Sequence, residues 1–264
     1  MTDVIKCTEF FDSNSERKQA DEWKTLKQNR QTVAGKKPED SFAEQLEEAV
    51  KEVKKNREWR REFMILSLQG CMAVGKTTAV RYIQENASYI NISYEINSDI
   101  VEEVKRRNLD KNIYEEYLEI QKLWLGKEVV RYEKAIKYPC SIMDFGAEEI
   151  EFYTLNYPKS IGFDWEIENA LKSELDAVRK CLPTRILFLD ASDEVLRKHK
   201  ENDDTRSRNF FEHHLQNMMP LKRKWFIGRE NVDVLMVDEL SADEVGAKVK
   251  EWCDDCIKKY GTVS

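Results

Sequence analysis

The stretch FMILSLQGCMAVGKTTAV, residues 63–80, is the most informative part of this chain. An apolar run at Phe63–Leu68 predicts a β-strand, and apolar residues at helical spacing begin near Thr78. Between them, residues 70–77 match the pattern G-x-x-x-x-G-K-[ST] in the strand-loop-helix context that this pattern requires. Because both flanks fit, the segment is better explained as a phosphate-binding loop than as a glycine-rich turn without a ligand.

Each position of this loop has a chemical reason. Glycines allow backbone N–H groups to converge on an anion, and the helix that follows adds its positive N-terminal end. Lys76 would place a charge on the β- and γ-phosphates, the Thr77 hydroxyl would bind Mg²⁺, and Thr78 would lie near the α-phosphate. We therefore predict a binding site for ATP and Mg²⁺, with the nucleotide held by Gly70, Ala73, Val74, Gly75, Lys76, Thr77 and Thr78.

Composition limits the kind of protein this is. The chain has 264 residues, a net charge of −7 and 35% charged residues, so a general nucleic-acid or membrane-surface binder is disfavoured. No apolar run approaches the length of a membrane span, and the first residues lack the pattern of a secretory signal. The six cysteines show no disulfide-framework spacing. A cytoplasmic location is expected.

After Arg61, strand-like and helical patterns alternate. Strands are predicted at Phe63–Leu68, Tyr89–Tyr94, Cys140–Met143, Arg185–Leu189 and Val232–Val237, and helices at Thr78–Asn86, Ile113–Ile136, Trp165–Leu182, Phe210–Phe226 and after Ser241. Strands that alternate with helices favour right-handed crossovers and a parallel sheet covered on both faces. The predicted fold is therefore α/β, a three-layer α/β/α P-loop NTPase domain with five parallel strands.

The first 60 residues have a different character. They are charged and contain few branched apolar residues, which predicts a helical extension that is partly flexible. Ser41 and Glu44 form a capping-box pattern before an amphipathic helical stretch. The predicted division is a charged N-terminal extension at residues 1–60 and a P-loop domain at residues 61–264.

Three predicted strands end in a carboxylate. Glu95 closes the second strand and could accept a hydroxyl proton, although a solvated strand-end charge is the alternative. Asp144 closes the third and is a candidate Mg²⁺ ligand, directly or through water, with a helix N-cap as its alternative. Asp190 closes the fourth, and we favour an N-cap for the helix after Ser192. Ligands of parallel sheets collect at these strand ends.

An arginine-containing segment lies between the fourth and fifth strands. Residues 197–209 include Arg197, Arg206 and Arg208 and are predicted to form a lid that closes over a triphosphate and neutralises charge during transfer. The alternative is an exposed connection of mixed charge.

These motifs together resemble the deoxynucleoside kinase and thymidylate kinase group of P-loop kinases, from about Phe63 to the end of the chain. The resemblance implies a sheet in the order 2-3-1-4-5, Glu95 as the base that deprotonates a sugar hydroxyl, and Gln121 as a reader of the acceptor base. It implies that Tyr94, Tyr117 and Trp124 line the acceptor pocket, although aromatic residues at this spacing are more often core. The resemblance also implies that this protein can form a homodimer.

The chain departs from the group at two positions. Phe145 stands where an arginine is expected after the third-strand carboxylate, and no arginine follows Gln121 at the expected spacing, Arg131 being the nearest. The leading hypothesis is an ATP- and Mg²⁺-dependent kinase for a nucleoside-like small-molecule acceptor. The alternatives are a P-loop ATPase or switch that acts through its N-terminal helix, and a nucleotide-binding protein with impaired catalysis.

Overall fold

The fold was determined from a computed structural model of the chain. It describes residues 63–202 and 210–261. The predicted N-terminal extension and residues 203–209 of the predicted lid lie outside the described residues.

Five parallel strands form one sheet in the order β2-β3-β1-β4-β5. The strands are Met64–Gly70 (β1), Asn91–Ser93 (β2), Cys140–Asp144 (β3), Arg185–Asp190 (β4) and Val232–Met236 (β5). Every residue of β1 is buried, as expected for a central strand covered on both faces. The predicted α/β fold, its five strands and the 2-3-1-4-5 order are confirmed.

Helices connect the strands and cover the sheet. They are Lys76–Asn86 (α1), Ser98–Arg106 (α2), Tyr114–Ala135 (α3), Ala147–Ser160 (α4), Ile167–Ala170 (α5), Lys172–Val178 (α6), Asp193–Glu201 (α7), Phe211–His213 (α8), Met219–Phe226 (α9) and Ala242–Tyr260 (α10). A 3₁₀ turn at Arg179–Cys181 follows α6, and a π-helical turn at His214–Met218 joins α8 to α9.

Two helical expectations need correction. The helix predicted over Trp165–Leu182 is interrupted, because Leu171 adopts φ −113° and ψ 26° between α5 and α6. Helix α4 was anticipated only through the alternative assignment of Asp144 as an N-cap, and it begins three residues after that carboxylate. The capping box predicted at Ser241 and Glu244 is present and starts α10.

The helices form two layers around the sheet. Helix α10 packs on α1 so closely that a Cβ at Gly246 would lie 2.5 Å from the Tyr82 ring. Helices α3, α4 and α6 pack on one another in the other layer. This arrangement leaves the carboxyl ends of β1, β2 and β3 beside the start of α1, where the predicted site residues lie.

In the part of the chain that the structure describes, no helix is long and apolar enough to cross a membrane. The cysteines described there are buried free thiols, and Cys253 and Cys256 face the core from α10.

Candidate active site

The phosphate loop joins β1 to α1 through backbone conformations that L-residues rarely adopt. Gly70 has φ +136°, Ala73 +65° and Gly75 +99°. Gly75 is the N-cap of α1 and has no side chain with which to cap the first turn. The N–H groups of that turn are therefore suited to bind an anion.

The two loop glycines have different requirements. A Cβ at Gly70 would lie 2.2 Å from the Leu189 carbonyl oxygen of β4, whereas a Cβ at Gly75 would meet no atom within 4 Å. We expect Gly70→Ala to lower the free energy of unfolding by at least about 2 kcal/mol, because it combines backbone strain with a clash. Gly75→Ala, the control, carries only the strain, about 1–2 kcal/mol. Urea denaturation measures both, and equal losses would contradict this account.

Lys76 lies folded against the loop. Its ammonium group donates to the carbonyl oxygens of Gly70, at 3.3 Å, and Cys71, at 2.7 Å, and lies 4.2 Å from the centre of the Phe145 ring. Burial, and secondly the charge of Lys222, lower the pKa of Lys76 to about 8. The lysine is thus held by neutral partners that a phosphate can replace.

Thr77 and Asp144 lie together at the ends of neighbouring elements. The Thr77 hydroxyl donates to Asp144 Oδ2 at 2.9 Å, while the other carboxylate oxygen, Oδ1, is buried and has no hydrogen-bond partner among the described residues. A threonine hydroxyl beside a carboxylate with a free oxygen is a donor set that suits Mg²⁺. These two residues therefore fit the predicted metal, and Asp144 is not a helix N-cap, because Gly146 occupies that position for α4.

Glu95 follows β2 at the same edge of the sheet. The residue as a whole is half-buried, but its carboxyl group is surrounded by protein atoms. Burial raises the pKa of Glu95 to about 7, against the opposing effects of the Arg131 charge and a hydrogen bond with Asn97. A carboxylate with a pKa in this range is suited to accept a proton at neutral pH.

Arg131 joins the ends of β2 and β3, a role that sequence reasoning missed. Its guanidinium donates to the carbonyl oxygens of Ser93 at 2.6 Å, Asp144 at 3.0 Å and Phe145 at 2.8 Å. It also pairs with Glu128 one turn earlier on α3. The arginine of the resembling group was expected a couple of helical turns after Gln121. Arg131 lies nearly three turns after Gln121 on α3 and contacts backbone carbonyl groups.

The predicted acceptor residues are brought together only in part. Gln121 is buried on α3, where its Oε1 accepts a hydrogen bond from Thr154 at 2.8 Å, and Trp124 is buried on the same helix. Tyr94 instead donates its hydroxyl to Gln84 of α1. Tyr117 is a core residue whose hydroxyl donates to the Thr154 carbonyl oxygen. The hydrogen bonds of Tyr94 and Gln121 therefore go to different helices, α1 and α4.

The first residues of the predicted lid, 197–201, are helical. Arg197 lies on α7, which continues to Glu201, and its exposed guanidinium pairs with Glu212 at 3.2 Å. Arg206 and Arg208 lie outside the described residues. Helix α7 nevertheless reaches the loop, since His199 Nδ1 lies 3.2 Å from the Ala73 carbonyl oxygen.

Asp190 is not the N-cap of α7, as had been favoured. Ser192 fills that position, and its side chain accepts from the Val195 N–H at 3.4 Å. Asp190 instead forms a bidentate pair with Arg223 of α9. The carboxylate ending β4 thus anchors the helix that follows the lid.

The comparisons with known proteins agree with this fold. No family model matches the sequence, and no curated protein matches it. A thymidylate kinase from Candida albicans superposes with a TM-score of 0.53 at 14% identity, over 74% of this chain and 92% of that one. A deoxyadenosine kinase from M. mycoides, solved with the products dCMP and dCDP, superposes with a TM-score of 0.54 at 15% identity, over 73% of this chain and all (100%) of that one.

The resemblance predicted from the sequence is therefore confirmed in the fold. The structure combines the strand order of that group with a loop of the predicted pattern after β1. Carboxylates lie at the carboxyl ends of β2 and β3. The chain shares the fold of these solved thymidylate kinase and deoxyadenosine kinase structures.

Proposed function

We propose that the protein is an ATP- and Mg²⁺-dependent kinase that transfers the γ-phosphoryl group to a nucleoside-like acceptor, at a hydroxyl or a phosphate. The observation that carries the proposal is the placement of Glu95 and Asp144. Glu95 lies two residues beyond β2 and Asp144 ends the adjacent parallel strand β3, where it accepts a hydrogen bond from the threonine of the phosphate loop. A base, a metal ligand and a phosphate cradle at one edge are the parts that phosphoryl transfer requires.

In this proposal each residue has one task. The loop N–H groups and Lys76 bind the β- and γ-phosphates, and Lys76 leaves the Gly70 and Cys71 carbonyl oxygens to do so. The carboxylate of Glu95 accepts the proton of a hydroxyl acceptor. Thr77 and Asp144 hold Mg²⁺, which supplies a positive charge that neutralises the phosphate oxygens. Arg197, Arg206 and Arg208 remain proposed lid residues.

The acceptor is proposed to be nucleoside-like because the two similar solved structures are kinases of thymidylate and of deoxyadenosine. Phe145 stands in place of the expected arginine, so the site has one positively charged side chain fewer than the kinase group it resembles. The acceptor is expected to bind against α3, where Gln121 and Trp124 lie.

The test measures ATP consumption with Mg²⁺ across nucleosides, deoxynucleosides and their monophosphates, with a control that lacks an acceptor. Turnover with one acceptor class supports transfer and identifies the substrate. Turnover without an acceptor would instead indicate an ATPase. ATP binding without any turnover would indicate a nucleotide-binding protein with impaired catalysis.

The raised pKa of Glu95 predicts a pH dependence. Transfer to a hydroxyl needs the carboxylate form, which is lost as the pH falls below about 7. We therefore expect kcat/KM to fall by about tenfold per pH unit on the acid side of this value. Rate profiles between about pH 5 and pH 9 would test it. A profile that stays flat down to the usual pKa of a glutamate would contradict the assignment.

A further inference from the structure

A second lysine lies beneath the phosphate loop. Lys222, on α9, has 0% of its side chain exposed. Its ammonium group donates to the Gly70 carbonyl oxygen at 3.2 Å and to Glu149 Oε1 at 2.7 Å. Lys76 donates to the same Gly70 oxygen at 3.3 Å. Two buried ammonium groups therefore share one acceptor.

Phe145 packs against both lysines. The Lys222 ammonium lies 4.7 Å from the centre of its ring, and the Lys76 ammonium 4.2 Å. Phe145 adopts φ +55°, and its N–H donates to the Leu68 carbonyl oxygen of β1. A ring face attracts a cation but does not neutralise it. The expected arginine is thus replaced by an apolar ring that stabilises two lysines.

Two carboxylates, Glu149 and Asp144, act on the lysines at the loop. Glu149 is the carboxylate that pairs with Lys222, and its second oxygen is buried without a hydrogen bond in the described part of the chain. Asp144, the other carboxylate whose charge acts on Lys76, is the proposed Mg²⁺ ligand. His214 adds no charge, because burial and then the nearby lysines hold its pKa well below its usual range. Mg²⁺ bound at Asp144 would make this group of charges positive, and the triphosphate that arrives with the metal would offset that charge.

We propose that Lys222 is a positioning residue for the triphosphate, and that Glu149 sets how much of its charge reaches the phosphate loop. Lys222 holds the Gly70 carbonyl oxygen and repels Lys76 from it, so that Lys76 moves readily to an arriving phosphate. After Lys76 has moved, the Lys222 charge remains under the loop. This inference rests on the proposed function, because it assumes that the loop binds a nucleoside triphosphate.

The test uses variants of both members of the ion pair. Lys222→Met removes the positive charge, whereas Glu149→Gln removes the negative charge and keeps a hydrogen-bond acceptor. Both break the same ion pair. A purely structural role predicts that both weaken ATP binding, while the electrostatic role predicts effects of opposite sign.

Calorimetric titration of the full chain with Mg²⁺–ATP and with inorganic tripolyphosphate gives the readout. We expect Lys222→Met to weaken binding by about tenfold and Glu149→Gln to tighten it by about threefold or more. Lys222→Arg should restore most of the affinity. Arg223→Met is the matched control, because Arg223 lies on the same helix and the variant breaks its ion pair with Asp190 of β4; it should change both affinities much less than Lys222→Met does.

Each outcome decides the inference. Opposite signs for Lys222→Met and Glu149→Gln, with rescue by arginine, support it. Weaker binding in both variants overturns it and makes the pair structural. Should Lys222→Met fail to fold, Glu149→Gln alone decides, since tighter binding supports the inference and weaker or unchanged binding overturns it. A wild-type chain that binds neither ligand overturns the proposed function, and the inference with it.

Discussion

Glu95→Gln is expected to lower kcat/KM by about 10²–10⁴-fold while ATP binding is retained. Glutamine has nearly the same shape as glutamate but cannot accept the acceptor proton. Glu95 follows β2, whereas the Thr77–Asp144 pair that is proposed to hold the metal lies at the end of the adjacent strand β3. Steady-state kinetics with the acceptor identified by the panel, together with ATP titration, would measure both effects.

Glu128→Gln is the matched control for this variant. Glu128 is a buried carboxylate on α3 that pairs with Arg131, the arginine that also acts on Glu95. We expect a much smaller loss of rate, because Glu128 has no proposed contact with the acceptor. An equal loss in both variants would show that the charge balance around Arg131 matters, and that Glu95 is not the base.

The free energy of unfolding of Glu95→Gln, compared with that of the wild type, shows whether the variant is correctly folded. Burial raises the pKa of Glu95 to about 7 in the folded state. Between the usual pKa of a glutamate and about 7, the folded protein therefore binds a proton on Glu95 that the unfolded chain has already lost. Stability therefore falls as the pH rises from the usual pKa of a glutamate to about 7. The glutamine variant escapes this loss, so we expect it to be at least as stable as the wild type at pH 8.

Asp144→Asn is expected to lower Mg²⁺-dependent turnover roughly hundredfold or more and to raise the Mg²⁺ concentration needed for half-maximal rate. Asparagine keeps an oxygen that can accept from Thr77, at the position where Asp144 Oδ2 now accepts at 2.9 Å. It removes the negative charge that favours the metal. ATP binding in the presence of EDTA should be unchanged or tighter, because a like charge near the phosphates is lost.

Asp190→Asn is the control for Asp144→Asn. Asp190 ends β4, on the other side of β1, and its carboxylate is engaged by Arg223. Its loss should reduce stability and leave the Mg²⁺ dependence as it is in the wild type. Turnover measured over a range of Mg²⁺ concentrations separates the two variants. Equal shifts in both, or no shift for Asp144→Asn, would contradict the assignment of the metal ligand.

The sequence by itself was sufficient to predict the glycine-rich loop between β1 and α1, the five strands, and the edge of the sheet where the proposed site residues lie. These features depend on local rules, namely glycine positions, the period of apolar residues and the direction of parallel strands. Glu95 and Asp144 could be predicted for the same reason. A carboxylate that follows a buried strand must lie at the carboxyl end of that strand.

Only the tertiary structure determined which side chains meet around the loop. Lys222 and Gly70 are 152 residues apart, so no local pattern connects them. Arg131 contacts strand ends that are remote from it in sequence, and Asp190 pairs with Arg223 where a local N-cap had been expected. Such contacts are fixed by packing and by the need of buried charges to find partners, which depends on the whole fold rather than on neighbouring residues.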